Sequence, residues 1–186
     1  DPDTEAGLIG RLEGVKGRID GLLATAEQGR ILREGARTVI CGEPNVGKSS
    51  LLNVLLGYER AIVSEMAGTT RDTVEEVVNI RGIPVRLIDT AGMRESLDEI
   101  EQRGVERTKQ HLAEADLVLE VVDTSREKGT LLSSRNRENR HHLLVLNKSD
   151  LGTHPDWNQE GKGVAISCRE GTGMDALGEA IGDQLS

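Results

Sequence analysis

The chain contains no phenylalanine, and its aromatic residues are Tyr58 and Trp157 alone. An interior built from it must be filled by aliphatic side chains, and two aromatics argue against aromatic platforms on which bases could stack. An excess of positive charge is also missing. Against 23 basic residues stand 32 acidic ones, a formal net charge of −9. That balance argues against a grip on nucleic acid driven by bulk phosphate attraction, while leaving room for one nucleotide whose charge is met locally. There are two cysteines, Cys41 and Cys168, and no CxxC pair. They read as small buried hydrophobes in a reducing compartment, not as a disulfide or a metal pair. No apolar run reaches membrane-spanning length and no signal-peptide pattern opens the chain, so the expectation is a cytoplasmic protein with no membrane partner.

What is present organises 186 residues, 36% of them hydrophobic, into one domain with an appendage. Residues 5–34 place Leu8, Ile9, Leu12, Val15, Ile19, Leu22, Leu23, Ala26 and Ile31 at steps of mostly three and four, which predicts one long amphipathic helix or two. Gly10, Gly14, Gly17 and Gly21 weaken it in isolation, and Gly35 is its expected end. Its apolar stripe needs a partner. From Arg37 the pattern alternates. Strands are expected at 37–41, 73–81, 84–88, 117–122, 143–147 and 163–166, and helices at 48–56, roughly 99–114, and 173–185. The fold class is α/β: a mostly parallel six-stranded sheet with helices on both faces and one antiparallel edge strand, made by the hairpin around Gly82, plus the N-terminal helical extension. The division expected is a helical segment over 1–36 and a nucleotide-binding domain over 37–186. Residues 124–142 are polar and charged, and disorder is expected there.

Five motifs carry chemistry. Gly42-Glu43-Pro44-Asn45-Val46-Gly47-Lys48-Ser49-Ser50 is a GxxxxGKS phosphate loop between a strand and a helix, the context that turns a pattern into a site. Backbone N–H groups around Asn45, Val46, Gly47 and Ser50 and the helix N-terminus offer fixed positive charge to phosphates, Lys48 adds a mobile full charge, and the Ser49 hydroxyl can ligate magnesium. Asp89-Thr90-Ala91-Gly92 follows a strand; Asp89 suits magnesium held through water and the Gly92 N–H suits a γ-phosphate. Gly68-Thr69-Thr70-Arg71-Asp72 lies between them, where a threonine hydroxyl, Thr69 or Thr70, can complete the magnesium shell only with a triphosphate bound, the physics of a switch. Asn147-Lys148-Ser149-Asp150 selects the base. The Asp150 carboxylate accepts from two adjacent donors, which guanine presents and adenine does not, so ATP would leave a buried charge unpaired. Asn147 can tie base and phosphate loop together, and the Lys148 stem can lie on the base. Ser167-Cys168, after the last strand, is placed to offer N–H groups to the guanine oxygen, although alone it reads as a plain strand end.

In this order the elements resemble the P-loop NTPase fold of Ras-like G domains. The finer spelling, GEPNVGKSSLLN, AIVSEMAGTTRD, DTAGMRE and DEIEQRGVER, is similar to the MnmE (TrmE) family of tRNA-modification GTPases, and LLATAEQGRILREG resembles the segment leading from that family's helical domain into its G domain. The resemblance spans about residues 20–186. After Asp89-Thr90-Ala91-Gly92 stands Met93, where Ras-type enzymes carry the glutamine that orients water; a thioether cannot do that. Composition does not choose among Arg94, Glu95, Asp98, Glu99 and Glu101 as a substitute. The resemblance does: it implies that Glu101 positions the water and that a potassium ion replaces an arginine finger, held by Asn45 and by carbonyls of about Ser64–Gly68, here Ser64, Met66 and Gly68. It also implies magnesium, a homodimer of G domains closing across the nucleotides, partnership with the flavoprotein MnmG, and tRNA bound by the full-length complex. Two other readings are a Der- or Era-type GTPase of ribosome assembly, and a non-catalytic module in which GTP controls dimerisation.

Overall fold

The computed structural model describes residues 2–58, 76–88, 112–131, 141–158 and 163–185. The N-terminal segment is one helix, α1 (Pro2–Glu34), of 33 residues. It ends as expected: Gly35 takes φ 86, and its N–H closes the last turn on the Ile31 carbonyl at 2.8 Å. This left-handed cap suits glycine, and a Cβ there would also collide with the Arg86 side chain. Among the described residues, α1 meets the sheet through its C-terminal turns, by buried Ile31 and by Arg30, which pairs with Asp116. Along the rest of the helix Ile9, Leu12, Val15, Ile19, Leu22 and Leu23 are exposed, so the stripe seen in the sequence is uncovered among the described residues.

The sheet has six strands in the order β2-β3-β1-β4-β5-β6: β1 (Ala36–Cys41), β2 (Glu76–Ile80), β3 (Ile83–Leu87), β4 (Leu117–Asp123), β5 (His142–Asn147) and β6 (Gly163–Ala165). Helix α2 (Lys48–Tyr58) follows β1, and α3 (Met174–Leu185) closes the chain. All neighbouring pairs are parallel except β2 with β3, the expected edge hairpin, which sets Val78 opposite Val85 across a turn at Arg81-Gly82. Alternation along the strands sends side chains to both faces. Ile40, Leu117, Leu119, Val121, Leu143 and Val145 pack with Leu51, Leu52 and Leu55 of α2 and Leu177 and Ile181 of α3. Val39, Cys41, Val118, Ile88 and Leu112 fill the opposite face, and Leu144 and Leu146 pack there on Trp157. Burial on both sides explains why β1, β4 and β5 read as nearly unbroken aliphatic runs. Each such side chain contributes about 1.5–3 kcal/mol.

One expectation needs amendment. Residues 124–131 are held in place: the Trp157 indole donates to the Arg126 carbonyl at 2.9 Å, and the Lys128 N–H reaches Asp156 at 3.3 Å. A polar composition misled there because the hold is polar and comes from residues some thirty positions on. Of the helix expected at 99–114, residues 112–114 are helical and 99–111 lie outside the described residues, as do 132–140. Among the described residues no helix is long and apolar enough to cross a membrane.

Candidate nucleotide-binding site

β1, β4, β5 and β6 all run in one direction, so their C-terminal ends open on one edge of the sheet. Four of the six buried polar or charged residues among those described, Asp123, Thr124, Asn147 and Ser167, stand at or just beyond those ends. Each of the four has a hydrogen-bond partner, as burial of a polar group requires.

The phosphate loop leaves β1 at Gly42, whose φ is 142 and where a Cβ would collide with the Val121 carbonyl. Asn45 and Gly47 also have positive φ, 65 and 103. A side chain at Gly47 would strike the Asn147 amide, so this glycine lets phosphate loop and β5 approach. Helix α2 starts at Lys48, with its ladder opened by the Leu51 N–H on the Gly47 carbonyl at 2.9 Å. No acidic residue lies in its first turn, so the positive end of the helix is left for an anion. Ser49 and Ser50 are exposed in that turn. The Lys48 ammonium donates to the carbonyls of Gly42 and Glu43 at 2.9 and 2.7 Å, which folds the lysine back over the loop. Burial lowers its pKa from the ordinary 10.5. Beneath the loop the Cys41 thiol is pushed up to about 12 by burial and then by Glu120, with Lys48 acting against both, so it is an inert hydrophobe at neutral pH.

At the other end of the site the buried Asn147 side chain donates to the Val46 carbonyl at 2.8 Å and accepts the Cys168 N–H at 3.2 Å. One amide thus joins the phosphate loop, β5 and the turn after β6. Lys148, at φ 64, extends its ammonium to the carbonyl of Asn45 at 2.8 Å and to the carboxylate of Asp123 at 2.7 Å. Asp150 lies on the short 3-10 turn Ser149–Leu151, and its carboxylate accepts the Ser167 hydroxyl at 2.6 Å. The Ser167 N–H closes its own turn on Thr172 at 3.0 Å. Cys168 is half-buried, and burial followed by Asp150 raises its thiol to about 11.

The structure therefore brings together Asn45, Val46, Gly47, Lys48, Asn147, Lys148, Asp150, Ser167 and Cys168. Ser64, Met66, Gly68, Thr69, Thr70, Asp89, Gly92, Met93 and Glu101 lie outside the described residues. β3 runs parallel to β1, so its C-terminal end at Leu87 faces the same edge. Sequence reasoning missed Asp123, Thr124 and Ser125. The Ser125 hydroxyl and N–H both donate to Asp123, and Thr124 donates twice to the Asn147 carbonyl. A signal was available, an acidic residue closing an aliphatic strand between two strands that end in motifs. It also missed that Ser167 acts through its side chain. A cavity of about 270 Å3 lies beside the loop, lined by Glu43, Pro44, Arg126, Leu131 and Trp157 among others, but none of Asn147, Asp150, Ser167 and Cys168 lines it. Among the described residues no group of three or more His, Cys, Asp or Glu could hold a metal ion. What is described of a magnesium site is Ser49, in the first turn after Lys48, the position at which a phosphate-loop hydroxyl serves.

The family model described as 50S ribosome-binding GTPase matches residues 37–148. The tRNA modification GTPase MnmE of Akkermansia muciniphila is 55% identical over 186 residues, 97% of this chain and 40% of that protein. That of Aquifex aeolicus is 46% identical over 183 residues, covering 96% and 41%. This chain spans about two fifths of the length of these relatives. Among solved structures, the G domain of the Thermotoga maritima iron transporter FeoB covers 80% of this chain and 98% of its own, with TM-score 0.59 and 23% identity. A GTP-binding protein of Sulfolobus solfataricus in complex with GDP covers 94% and 59%, with TM-score 0.54 and 20% identity. At those identities they show the fold, a P-loop G domain.

Proposed function

The chain belongs to the 50S ribosome-binding GTPase family, as a G domain of the MnmE kind, and is a GTP-hydrolysing enzyme; from that premise we propose that it drives, by potassium-activated GTP turnover in a G-domain dimer, a protein that works with the flavoprotein MnmG on the wobble uridine of tRNA. The observation that carries the tRNA part is the match along nearly the whole chain to proteins named tRNA modification GTPase MnmE. Residues 1–36 belong in this reading to a helical domain, and 37–186 form the G domain.

The chain's own residues divide the work. Lys48 and the first turn of α2 bind the β- and γ-phosphates, and Asn147 and Asp150 orient and select guanine. Ser49, Thr70 and, through water, Asp89 would hold magnesium; Asn45 and the carbonyls of Ser64, Met66 and Gly68 would hold potassium. When bound, the two cations neutralise charge developing on the phosphate oxygens. Thr69 and Gly92 contact the terminal phosphate and release it on hydrolysis. Glu101 orients the water that Met93 cannot. The test is turnover with magnesium in equal concentrations of potassium and sodium, at several protein concentrations. Potassium raises the rate, and turnover per molecule grows with concentration. Equal rates in the two cations remove the potassium mechanism, and a Glu101→Ala variant with undiminished turnover removes the role of that glutamate.

A further inference from the structure

Asp123 closes β4 in register with Asn147 on β5. Its side chain is 6% exposed, and donors converge on it from both directions. Lys148 Nζ lies 2.7 Å from Oδ2, with Arg126 Nε at 3.6 Å from the same oxygen, while Ser125 reaches Oδ1 through its hydroxyl at 2.6 Å and its N–H at 3.1 Å. The same Lys148 ammonium donates to the Asn45 carbonyl at 2.8 Å. A single cation therefore bridges the end of β4 and the phosphate loop, and it is borne by the residue that also starts the base-recognition turn.

Lys148, which carries this cation, has φ 64, in the left-handed region that a long side chain avoids, and Asn45 has φ 65, a conformation that asparagine tolerates better. Lys148 needs its surroundings to hold it there. Burial would favour a neutral Asp123, but hydrogen bonds from Lys148 and Ser125 outweigh that and lower its pKa, so the carboxylate stays charged and grips the ammonium.

We infer that Asp123 is a positioning residue for guanine-nucleotide binding: it holds the Lys148 ammonium against the Asn45 carbonyl and so locks the base-recognition turn and the phosphate loop into one geometry. This rests on the reading of Asn147–Asp150 as the base site. Asp123 acts on the nucleotide through Lys148 and not through Asp150, whose own partner is Ser167. Loss of the carboxylate must then weaken guanine nucleotides without relaxing recognition of the exocyclic amine.

The experiment measures equilibrium binding and dissociation rates of GDP, IDP and ADP for the whole chain, with thermal midpoints taken without nucleotide. The proteins are wild type, Asp123→Asn, Ser125→Ala, Lys148→Met and the double variant Asp123→Asn/Lys148→Met. Asp123→Asn is expected to raise the dissociation constant for GDP about tenfold, mostly through faster release, and Ser125→Ala about two- to threefold. The ratio of GDP to IDP affinity stays at the wild-type value, and the double variant binds no more weakly than Lys148→Met alone. GDP binding by Asp123→Asn within twofold of wild type overturns the inference, as does an additive loss in the double variant or a collapsed GDP-to-IDP ratio. Should Asp123→Asn not fold, Ser125→Ala decides, and unchanged GDP affinity and release rate in that variant overturn it. A wild-type chain that does not prefer GDP to ADP removes the base-site reading, a result distinct from all of these.

Discussion

Both halves of the Asn147 amide are engaged by the protein, the nitrogen on the Val46 carbonyl and the oxygen on the Cys168 N–H. The residue is therefore part of the frame as well as of the proposed binding surface. Truncation to alanine leaves a buried carbonyl and a backbone N–H without partners and costs about 2 kcal/mol. The Asn147→Ala chain without nucleotide is expected to melt about 4–8 °C lower than wild type. Calorimetry of the nucleotide-free protein checks this, and an unchanged midpoint would mean that Asn147 serves the ligand alone. The same distinction explains what could be read at this scale. Asn147, Lys148 and Asp150 could be singled out because a guanine site asks for those groups at that spacing, and the structure brings them together beside the phosphate loop. Asp123, Ser125 and the Ser167 hydroxyl could not, because what they serve is other protein groups. The Asp123–Lys148 contact spans 25 residues and exists only because β4 and β5 pair in a register that sets Asp123 beside Asn147.

At the scale of elements, α1 is fixed to the sheet by a short polar joint. Asp116 accepts from Arg30 of α1 at 2.5 Å and from the Arg37 N–H at the start of β1 at 2.7 Å, while Arg86 of β3 donates to the Glu34 carbonyl. Asp116→Ala removes two of these contacts in a partly exposed setting and costs about 1–2 kcal/mol. Amide exchange should accelerate over residues 30–37, with GDP affinity unchanged within twofold, since the joint sits at the N-terminal end of β1 and the phosphate loop at the other. Exchange that stays slow in the variant would show that Ile31 packing and the Arg86–Glu34 contact suffice to anchor the helix. The strands were readable because burial on both faces imposes unbroken aliphatic runs, and the hairpin because Gly82 is the short turn between two of them. Helix α1 was readable in spacing but not in extent: four glycines made one helix or two equally admissible, whereas it runs through all of them. The loop at 124–131 was misread because its order comes from Trp157 and Asp156, and composition within a window cannot register such contacts.

The molecule as a whole carries a net charge of −9 and has two aromatic residues. Non-specific attachment to nucleic acid depends on lysines and arginines releasing counterions from the phosphates, and sequence-tolerant attachment to single strands depends on stacking. The composition of this chain offers little for either. The chain spans about two fifths of its relatives' length, so under the proposed role tRNA would be engaged by other parts of such a protein. Taken with the proposed role, the charge predicts a division of labour: this domain supplies turnover and motion, and tRNA binds elsewhere. The isolated chain, loaded with GDP or with a non-hydrolysable GTP analogue, should bind unmodified tRNA with a dissociation constant weaker than about 10⁻⁴ M at physiological salt, the weak limit for non-specific binding by basic proteins. Its GTP turnover should be unaffected by added tRNA. Filter binding across a salt series measures the first and phosphate release the second. Micromolar binding with a steep salt slope would locate a concentrated basic surface on this domain in spite of its net charge, and tRNA-stimulated turnover would move recognition of the substrate into the G domain itself.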